Sequence, residues 1–348
     1  MIYTDQYLED IKAIWQIILE KDRLKNKRIL ITGCTGLIGS AMADTLLWAN
    51  RHSDASVRIF LCGRNRARLV HRFEEYEEGI DYKFIQYDLC DPLDAPNMDY
   101  VVHLAGIANT KWYANKPVET LESIISGIKH IVNTSLKSDF CRLLYVSSSE
   151  VYGRKQDNSP YKETDYGNID VLNPRSCYPS GKRVAESLCA SYKSEYGLDF
   201  VVVRPGHVYG PTVQKNDERA SSVFPYEAAC GNDIVMKSAG QQLRSHCYVL
   251  DVISAMITVM LKGNSGHAYN ISNKDSVTSI RQFAEACALA GKVSIKYTEA
   301  SDADKRGYNM MQNSSLDATE LENLGWRGLF DLSTGVKNTI DMLRGQVK

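Results

Sequence analysis

Short apolar runs alternate with longer amphipathic stretches through the first 205 residues of the chain. Each run is four to six residues long, which predicts a strand buried on both faces. Apolar residues at helical spacing between the runs predict helices, the clearest over 118–136 and 183–196. Strands that alternate with helices imply parallel βαβ units, so we expect an α/β fold with a doubly wound parallel sheet. The predicted strands are 29–32, 57–62, 82–86, 100–105, 143–147 and 200–204.

Two parts of the chain depart from this rhythm. Before the first strand, apolar residues at 3.6-residue spacing predict one helix over 6–24, an N-terminal extension (1–25) that packs on the body or on a neighbouring subunit. After Pro205 the segments are shorter, with helices predicted at 249–261 and 279–290 and a strand at 294–297. We therefore expect a Rossmann domain over 26–205, to which 248–271 returns. A smaller substrate-binding lobe would comprise 206–247 and 272–348, above the carboxyl ends of the strands.

The composition excludes several classes of function. The 41 basic and 42 acidic residues nearly cancel, so no overall field favours nucleic acid or an anionic membrane. Nine cysteines are scattered singly without a C-x-x-C pair, which argues against a metal site and for a reducing compartment. The N-terminus lacks a signal-peptide pattern, and no apolar run approaches a membrane span. We expect a cytoplasmic protein without metal, nucleic-acid or membrane partners.

The first predicted strand ends in a glycine-rich turn and restarts as a helix. Gly33 permits a tight turn, Gly36 lets the backbone approach a phosphate, and Gly39 lets the helix pack close to the strand. Bare N–H groups at the positive end of a helix attract a diphosphate. The strand, turn and helix together predict a dinucleotide cofactor.

The second strand end bears on which dinucleotide is bound. A carboxylate there would bond the adenine ribose hydroxyls, whereas an arginine accommodates a 2′-phosphate. This chain has Gly63 followed by Arg64, so NADP(H) is favoured, with NAD(H) the alternative. Asp88, after the third strand, could meet the adenine amino group, with Leu89 beside it.

Tyr178 and Lys182 lie four residues apart at the start of a predicted helix, so their side chains share a face. A phenol has a pKa of about 10 and is a poor base at neutral pH, but a nearby ammonium lowers it by about 1–3 units. Such a tyrosine can take a proton from a hydroxyl or return one to a ketone. Ser148, at the end of the fifth strand, could hold the same oxygen by a hydrogen bond.

These motifs together resemble the extended short-chain dehydrogenase/reductases, in the NAD(P)-dependent epimerase/dehydratase family of nucleotide-sugar enzymes. The likeness covers nearly everything from about residue 26 onward. It is carried by T-G-x-x-G-x-x-G at 32–39, H-L-A-G at 103–106, S-S-S-E-V-Y-G at 147–153, Y-P-S-G-K at 178–182, R-P-G-H-V-Y-G-P at 204–211, R-S-H-C-Y-V-L-D at 244–251, A-Y-N-I at 268–271 and L-G-W at 324–326.

The resemblance implies roles for individual residues. Ser148, Tyr178 and Lys182 would form the catalytic triad, with Glu150 as a candidate base, and Lys182 would also bond the nicotinamide ribose. Arg244 would grip the substrate diphosphate, and Asn109, Ser149 and His207 lie where substrate could be reached. Cofactor contacts are expected from Tyr178 and Lys182 and from Gly33, Thr35, Gly36, Leu37, Ile38, Gly39, Arg64, Asp88, Leu89, Leu104, Ala105, Gly106 and Pro205.

The expected activity is hydride transfer at C4 of a nucleoside-diphosphate sugar. Because Ser149 precedes Glu150 where dehydratases often carry Asp-Glu, a 4-epimerase or 4-keto reductase is placed ahead of a 4,6-dehydratase or uronate decarboxylase. A catalytically idle NAD(P)-binding scaffold is the alternative of another class. The resemblance also implies a homodimer built on the helices at about 118–136 and 180–196.

Overall fold

A seven-stranded sheet forms the centre of the protein. The computed structural model describes residues 3–138, 141–214, 217–301 and 311–347. Its strands are β1 Arg28–Thr32, β2 Arg58–Gly63, β3 Lys83–Gln86, β4 Tyr100–His103, β5 Arg142–Val146, β6 Asp199–Pro205 and β10 Ala268–Ile271. They follow the order β10-β6-β5-β4-β1-β2-β3, and every neighbouring pair is parallel. The six predicted strands are confirmed, and a seventh, β10, joins them beside β6.

Helices cover both faces of this sheet because its side chains alternate between two apolar cores. On β1, Ile29 and Ile31 point into one core and Leu30 into the other. The helices that follow the strands of this sheet are α2 Leu37–His52, α3 Arg66–Arg72, α4 Thr110–Asn115, α5 Pro117–Leu136, α6 Cys177–Tyr196 and α8 Val249–Lys262. The first core is closed by α2 and α8, and the second by α5 and α6. The fold is therefore the doubly wound α/β arrangement predicted from the sequence.

Shorter elements after β6 build a second layer beside the carboxyl ends of the strands. β9 Leu243–Tyr248 pairs with β7 His207–Tyr209, β11 Val277–Ser279 and β13 Asn313–Ser314. β8 Ile234–Met236 pairs with β12 Ile295–Tyr297, which confirms the predicted strand at 294–297. The helices of this part are α7 Ala220–Cys230, α9 Ile280–Gly291, α10 Thr319–Asn323 and α11 Leu332–Val347.

The N-terminal helix is shorter than predicted. Helix α1 runs over Asp5–Ile17, and a separate 3-10 turn covers Lys21–Leu24, where the sequence pattern predicted one helix over 6–24. The helical path is interrupted before Lys21, because Glu20 has a left-handed backbone conformation with φ 57°. The ammonium of Lys21 folds back onto the carbonyl oxygens of Trp15 (2.8 Å) and Gln16 (3.1 Å), so it caps the end of α1.

Two buried carboxylates attach α1 to the rest of the protein. Asp44 on α2 is fully buried and accepts hydrogen bonds from the hydroxyls of Tyr3 (2.7 Å) and Tyr7 (2.9 Å). Arg72 completes this cluster by an ion pair with Asp44. Asp10 on α1 accepts hydrogen bonds from Tyr248 (3.0 Å) and from Asn338 of α11 (2.9 Å). Because buried polar groups need partners, these contacts fix where α1 packs.

Among the helices that the structure describes, none is long and apolar enough to cross a membrane. Over the same ranges, no group of three or more His, Cys, Asp or Glu side chains could hold a metal ion.

Candidate active site

The glycine turn after β1 has the geometry expected of a diphosphate cradle. A Cβ on Gly33 (φ 68°) would lie 2.8 Å from the backbone nitrogen of Ala105, and one on Gly39 would overlap the carbonyl of Gly33. Gly36 is the N-cap residue of α2 and, lacking a side chain, leaves the first N–H groups of that helix uncovered. This bare positive helix end, approached closely by backbone alone, suits the diphosphate of a dinucleotide.

The other predicted cofactor residues surround this turn. The backbone N–H groups of Leu104 and Ala105 donate to the hydroxyl of Thr32 (3.2 and 3.1 Å), which sets the path of the chain into Gly106. The carbonyls of Thr35 and Leu37 accept from Gln214 (2.5 Å) and Thr212 (2.7 Å), so the segment after β7 lies over the turn. Ile38 is in the first turn of α2, and Pro205 is the last residue of β6.

Arg64, Asp88 and Leu89 lie at the neighbouring strand ends. Arg64 follows β2 with an exposed side chain, and its carbonyl accepts from Gln86 at the end of β3 (2.8 Å). Asp88 accepts from the N–H of Cys90 (3.3 Å), and the side chain of Leu89 packs against Gly127 of α5. The side chain of Arg64 is therefore available to a ligand at the edge of the sheet.

The three predicted catalytic residues come together where β5 meets α6. Ser148 follows β5 and caps a 3-10 turn, accepting from the N–H of Glu150 (3.2 Å). Tyr178 and Lys182 lie in the first turns of α6 and are both buried. The Lys182 ammonium donates to the carbonyl of Val146 (2.8 Å) and is 5.8 Å from the centre of the Tyr178 ring.

The ionisation of the pair differs from the sequence prediction. Burial lowers the pKa of Lys182 to about 8 and raises the pKa of Tyr178. Glu150 raises the Tyr178 pKa further, while Ser148, Arg219 and Tyr113 lower it. The pKa of Tyr178 is therefore raised, whereas the spacing to Lys182 predicted that it would be lowered. Residue spacing predicted the shared helix face but not the loss of solvent around it.

Glu150 has a partner that the sequence did not reveal. Arg175 holds it in a two-pronged ion pair, with N···O distances of 2.5 and 3.0 Å. Bidentate arginine–carboxylate pairs of this kind fix both charge and orientation. The two residues are 25 positions apart across an irregular loop, so no spacing rule could have paired them.

Arg244 and His207, both predicted to contact the substrate, lie on the paired strands β9 and β7. Arg244 on β9 is 2% exposed, and its guanidinium donates to its neighbour's carbonyl on Leu243 (2.8 Å). Burial lowers the pKa of Arg244 to about 10. Among the described residues, no carboxylate forms an ion pair with Arg244. Its buried guanidinium is therefore suited to binding an anion. His207 pairs in register with His246 on β9, and its buried Nδ1 has no hydrogen-bond partner among the described residues.

The remaining predicted substrate residues, Asn109 and Ser149, follow the carboxyl ends of β4 and β5. Asn109 precedes α4 and accepts hydrogen bonds from the N–H groups of Trp112 and Tyr113 (both 3.2 Å). Ser149 is buried at the start of the 3-10 turn. Arg219, which the sequence reading missed, is ion-paired with Asp217. Its charge lowers the pKa of both Tyr178 and His207, so it lies near the proposed reaction centre.

Comparison with known proteins identifies the family of this chain. Residues 29–272 match the NAD dependent epimerase/dehydratase family. The chain is 30% identical to UDP-glucuronic acid decarboxylase 1 of Xenopus tropicalis, over 96% of this chain and 75% of that one. It is also 30% identical to UDP-glucuronic acid decarboxylase 3 of Arabidopsis thaliana, over 89% of this chain and 87% of the relative.

A solved structure supports the fold. UDP-glucose 4-epimerase of Thermotoga maritima, determined with UDP-glucose, aligns with a TM-score of 0.76 and 22% identity. The alignment covers 92% of this chain and 100% of the epimerase. With the glycine turn, the parallel sheet and a family match over most of its length, this chain belongs to the NAD-dependent epimerase/dehydratase family of the extended short-chain dehydrogenases.

Proposed function

We propose that this enzyme is an NAD(P)-dependent decarboxylase of a nucleoside-diphosphate hexuronate. The observation that carries the proposal is the likeness, over nearly the whole chain, to curated UDP-glucuronic acid decarboxylases. The sequence motifs alone favour a 4-epimerase or 4-keto reductase over this reaction. The order changes because relatives at 30% identity with this coverage favour the decarboxylase.

The geometry supports chemistry that starts at C4 of the sugar. The glycine turn and Lys182 would hold the dinucleotide, whose chemistry is reversible hydride transfer with C4. Tyr178 would take the C4 hydroxyl proton while Ser148 holds the oxygen. The resulting 4-keto acid is a β-keto carboxylate, so the C5–C6 bond breaks with loss of CO2 and its electron pair remains on C5 and the C4 oxygen. C5 is then protonated, and C4 is reduced again.

The Glu150–Arg175 pair favours this reaction over dehydration. A 4,6-dehydratase must remove the C5 proton with a base and protonate a departing hydroxyl with an acid. Here the Glu150 carboxylate accepts two hydrogen bonds from Arg175, and the preceding residue is Ser149, which carries a hydroxyl and not a carboxyl group. The bond-breaking step of decarboxylation needs neither group, since CO2 is the leaving group, and the later protonation of C5 can draw its proton from water. Epimerisation or ketoreduction at C4 also needs neither, which keeps these reactions as the second candidate.

Product analysis distinguishes the candidates. The pure protein with NAD(P)+ is incubated separately with UDP-glucuronate and with parent hexose nucleotides, and 4-keto-6-deoxy sugar nucleotides are supplied with NADPH. We expect mass spectrometry to find a UDP-pentose, with CO2 released, from UDP-glucuronate. Conversion to the C4 epimer without CO2 loss would make the enzyme an epimerase. A 4-keto-6-deoxy product from a hexose, absent in Glu150→Gln, would make it a dehydratase.

We propose NADP(H) as the preferred cofactor, on the position of Arg64. The side chain is exposed beside the end of β2, where a 2′-phosphate would lie. Arg64→Ala should weaken NADP(H) by about 1.5–3 kcal/mol, the scale of a charged hydrogen bond, and hardly affect NAD(H). Titration of both cofactors against wild type and variant measures this. Equal losses, or a wild type that prefers NAD(H), would reject the assignment.

We also propose a homodimer through the outer faces of α5 and α6. The apolar side chains of Val118, Leu136 and Val184 on these helices are 62%, 36% and 41% exposed, which is typical of a face that a second copy covers. Light scattering at micromolar concentration should give twice the 39.1 kDa mass of the chain. A monomer, or a dimer that persists in Val184→Asp, would contradict this interface.

A further inference from the structure

A second tyrosine lies against the proposed catalytic one. Tyr113 of α4 is 3% exposed, and its ring stacks on that of Tyr178 with centroids 4.5 Å apart and planes within 15°. Tyr113 comes from the segment after β4, whereas Tyr178 begins α6, so two separate elements bring the rings together. Cys177 adds a weak contact by donating its thiol to the carbonyl of Tyr113 (3.8 Å).

Several groups act on the ionised Tyr178 oxygen. The Lys182 ammonium donates to the carbonyl of Val146, and the negative charge of Glu150 raises the pKa of Tyr178. Ser148 and Tyr113 lower that pKa, as groups that favour the charged form of the phenol do. Ser148 is a member of the expected triad, whereas no sequence motif indicated a role for Tyr113.

Arg175 also lies beside Tyr113. Its guanidinium carbon is 5.3 Å from the centre of the Tyr113 ring, which is a cation–π distance. The same guanidinium holds Glu150 by its two hydrogen bonds. Arg219, which is paired with Asp217, also lowers the pKa of Tyr178.

We propose that Tyr113 is a positioning residue for proton transfer, whose hydroxyl donates to the Tyr178 oxygen and stabilises it when ionised. The inference rests on the proposed acid–base role of Tyr178 and is independent of the sugar, because every reaction considered above begins or ends at C4. Arg175, which lies beside the Tyr113 ring, helps to orient it.

The test replaces one hydroxyl and follows the titration of Tyr178. Tyr113→Phe keeps the stacked ring and removes the donor. Ultraviolet difference titration of each protein against its own Tyr178→Phe counterpart, with NAD(P)+ bound, isolates the Tyr178 phenolate without substrate. We expect the apparent pKa to rise by about one unit in Tyr113→Phe, which lowers kcat/KM roughly tenfold below that pKa and restores it at high pH. Tyr166→Phe, at an 81% exposed position, is the matched control and should leave both measurements unchanged.

Two results would overturn the inference. One is a Tyr178 titration that superimposes on that of the wild type, and the other is a loss of activity of equal size at every pH, which indicates a substrate contact or a packing role. The titration needs no substrate, so it decides the role of Tyr113 even if product analysis rejects the decarboxylase. Unchanged turnover in Tyr178→Phe, in contrast, would reject the proposed function itself.

Discussion

Replacing Tyr178 with phenylalanine should remove turnover while cofactor binding stays near normal. The phenol oxygen is the group that exchanges the C4 hydroxyl proton, and general acid–base groups contribute about 10²–10⁴-fold to rate. The ring itself remains, so its stacking on Tyr113 and its packing at the start of α6 are retained. We therefore expect kcat to fall by at least 10²–10⁴-fold with little change in the Kd of the dinucleotide.

The measurements are steady-state turnover of the substrate that product analysis identifies, and cofactor titration by fluorescence. Tyr196→Phe is a matched control, because Tyr196 ends the same helix with a side chain that is 58% exposed. If Tyr178→Phe retained close to full activity, another group would have to carry the proton. A large loss of cofactor affinity would instead make Tyr178 a binding residue.

Replacing Asp44 with alanine should cause the largest loss of stability among the substitutions considered. Asp44 is fully buried and is the shared acceptor of Tyr3, Tyr7 and Arg72. Its removal leaves a guanidinium that is only 11% exposed without its carboxylate. Breaking a buried pair from one side costs about 3–5 kcal/mol. Urea unfolding of the purified variant measures this loss.

Two further variants isolate the cause. Asp54→Ala removes a carboxylate whose side chain is 98% exposed, so we expect a change in the free energy of unfolding within about 0.5 kcal/mol. Asp44→Ala combined with Arg72→Met removes both charges and should recover part of the stability. If Asp44→Ala alone were as stable as the wild type, the cluster would not anchor α1 in solution.

Six of the seven strands of the central sheet were predictable because they are buried on both faces. A parallel strand between two helical layers reads as a continuous apolar run, and such a run stands out against amphipathic helices. β7, β8, β11 and β13 have only two or three residues each, too few for any periodicity to register. Their pairing depends on tertiary contacts between distant segments, which no local pattern contains.

Within the site, local spacing predicted some contacts and missed others. The glycine turn and the Tyr178–Lys182 pair each lie within one short segment, so spacing alone could bring them out. Tyr113 and Arg175 reach the same place from α4 and from an irregular loop, and only the folded chain shows them together. The predicted lowering of the Tyr178 pKa was wrong for a related reason, because residue spacing carries no information on burial.

The attachment of α1 by Asp10 has a consequence for synthesis on the ribosome. Its partners Tyr248 and Asn338 lie 238 and 328 positions later in the chain, so α1 leaves the exit tunnel long before they exist. Until then its apolar side, with Tyr7, Ile11 and Trp15, has no complete surface to cover it. Contacts of such long sequence separation form late in folding, and exposed apolar surface is what holdase chaperones bind. Helix α1, although it is translated before the rest of the described fold, is therefore among the last elements to be secured.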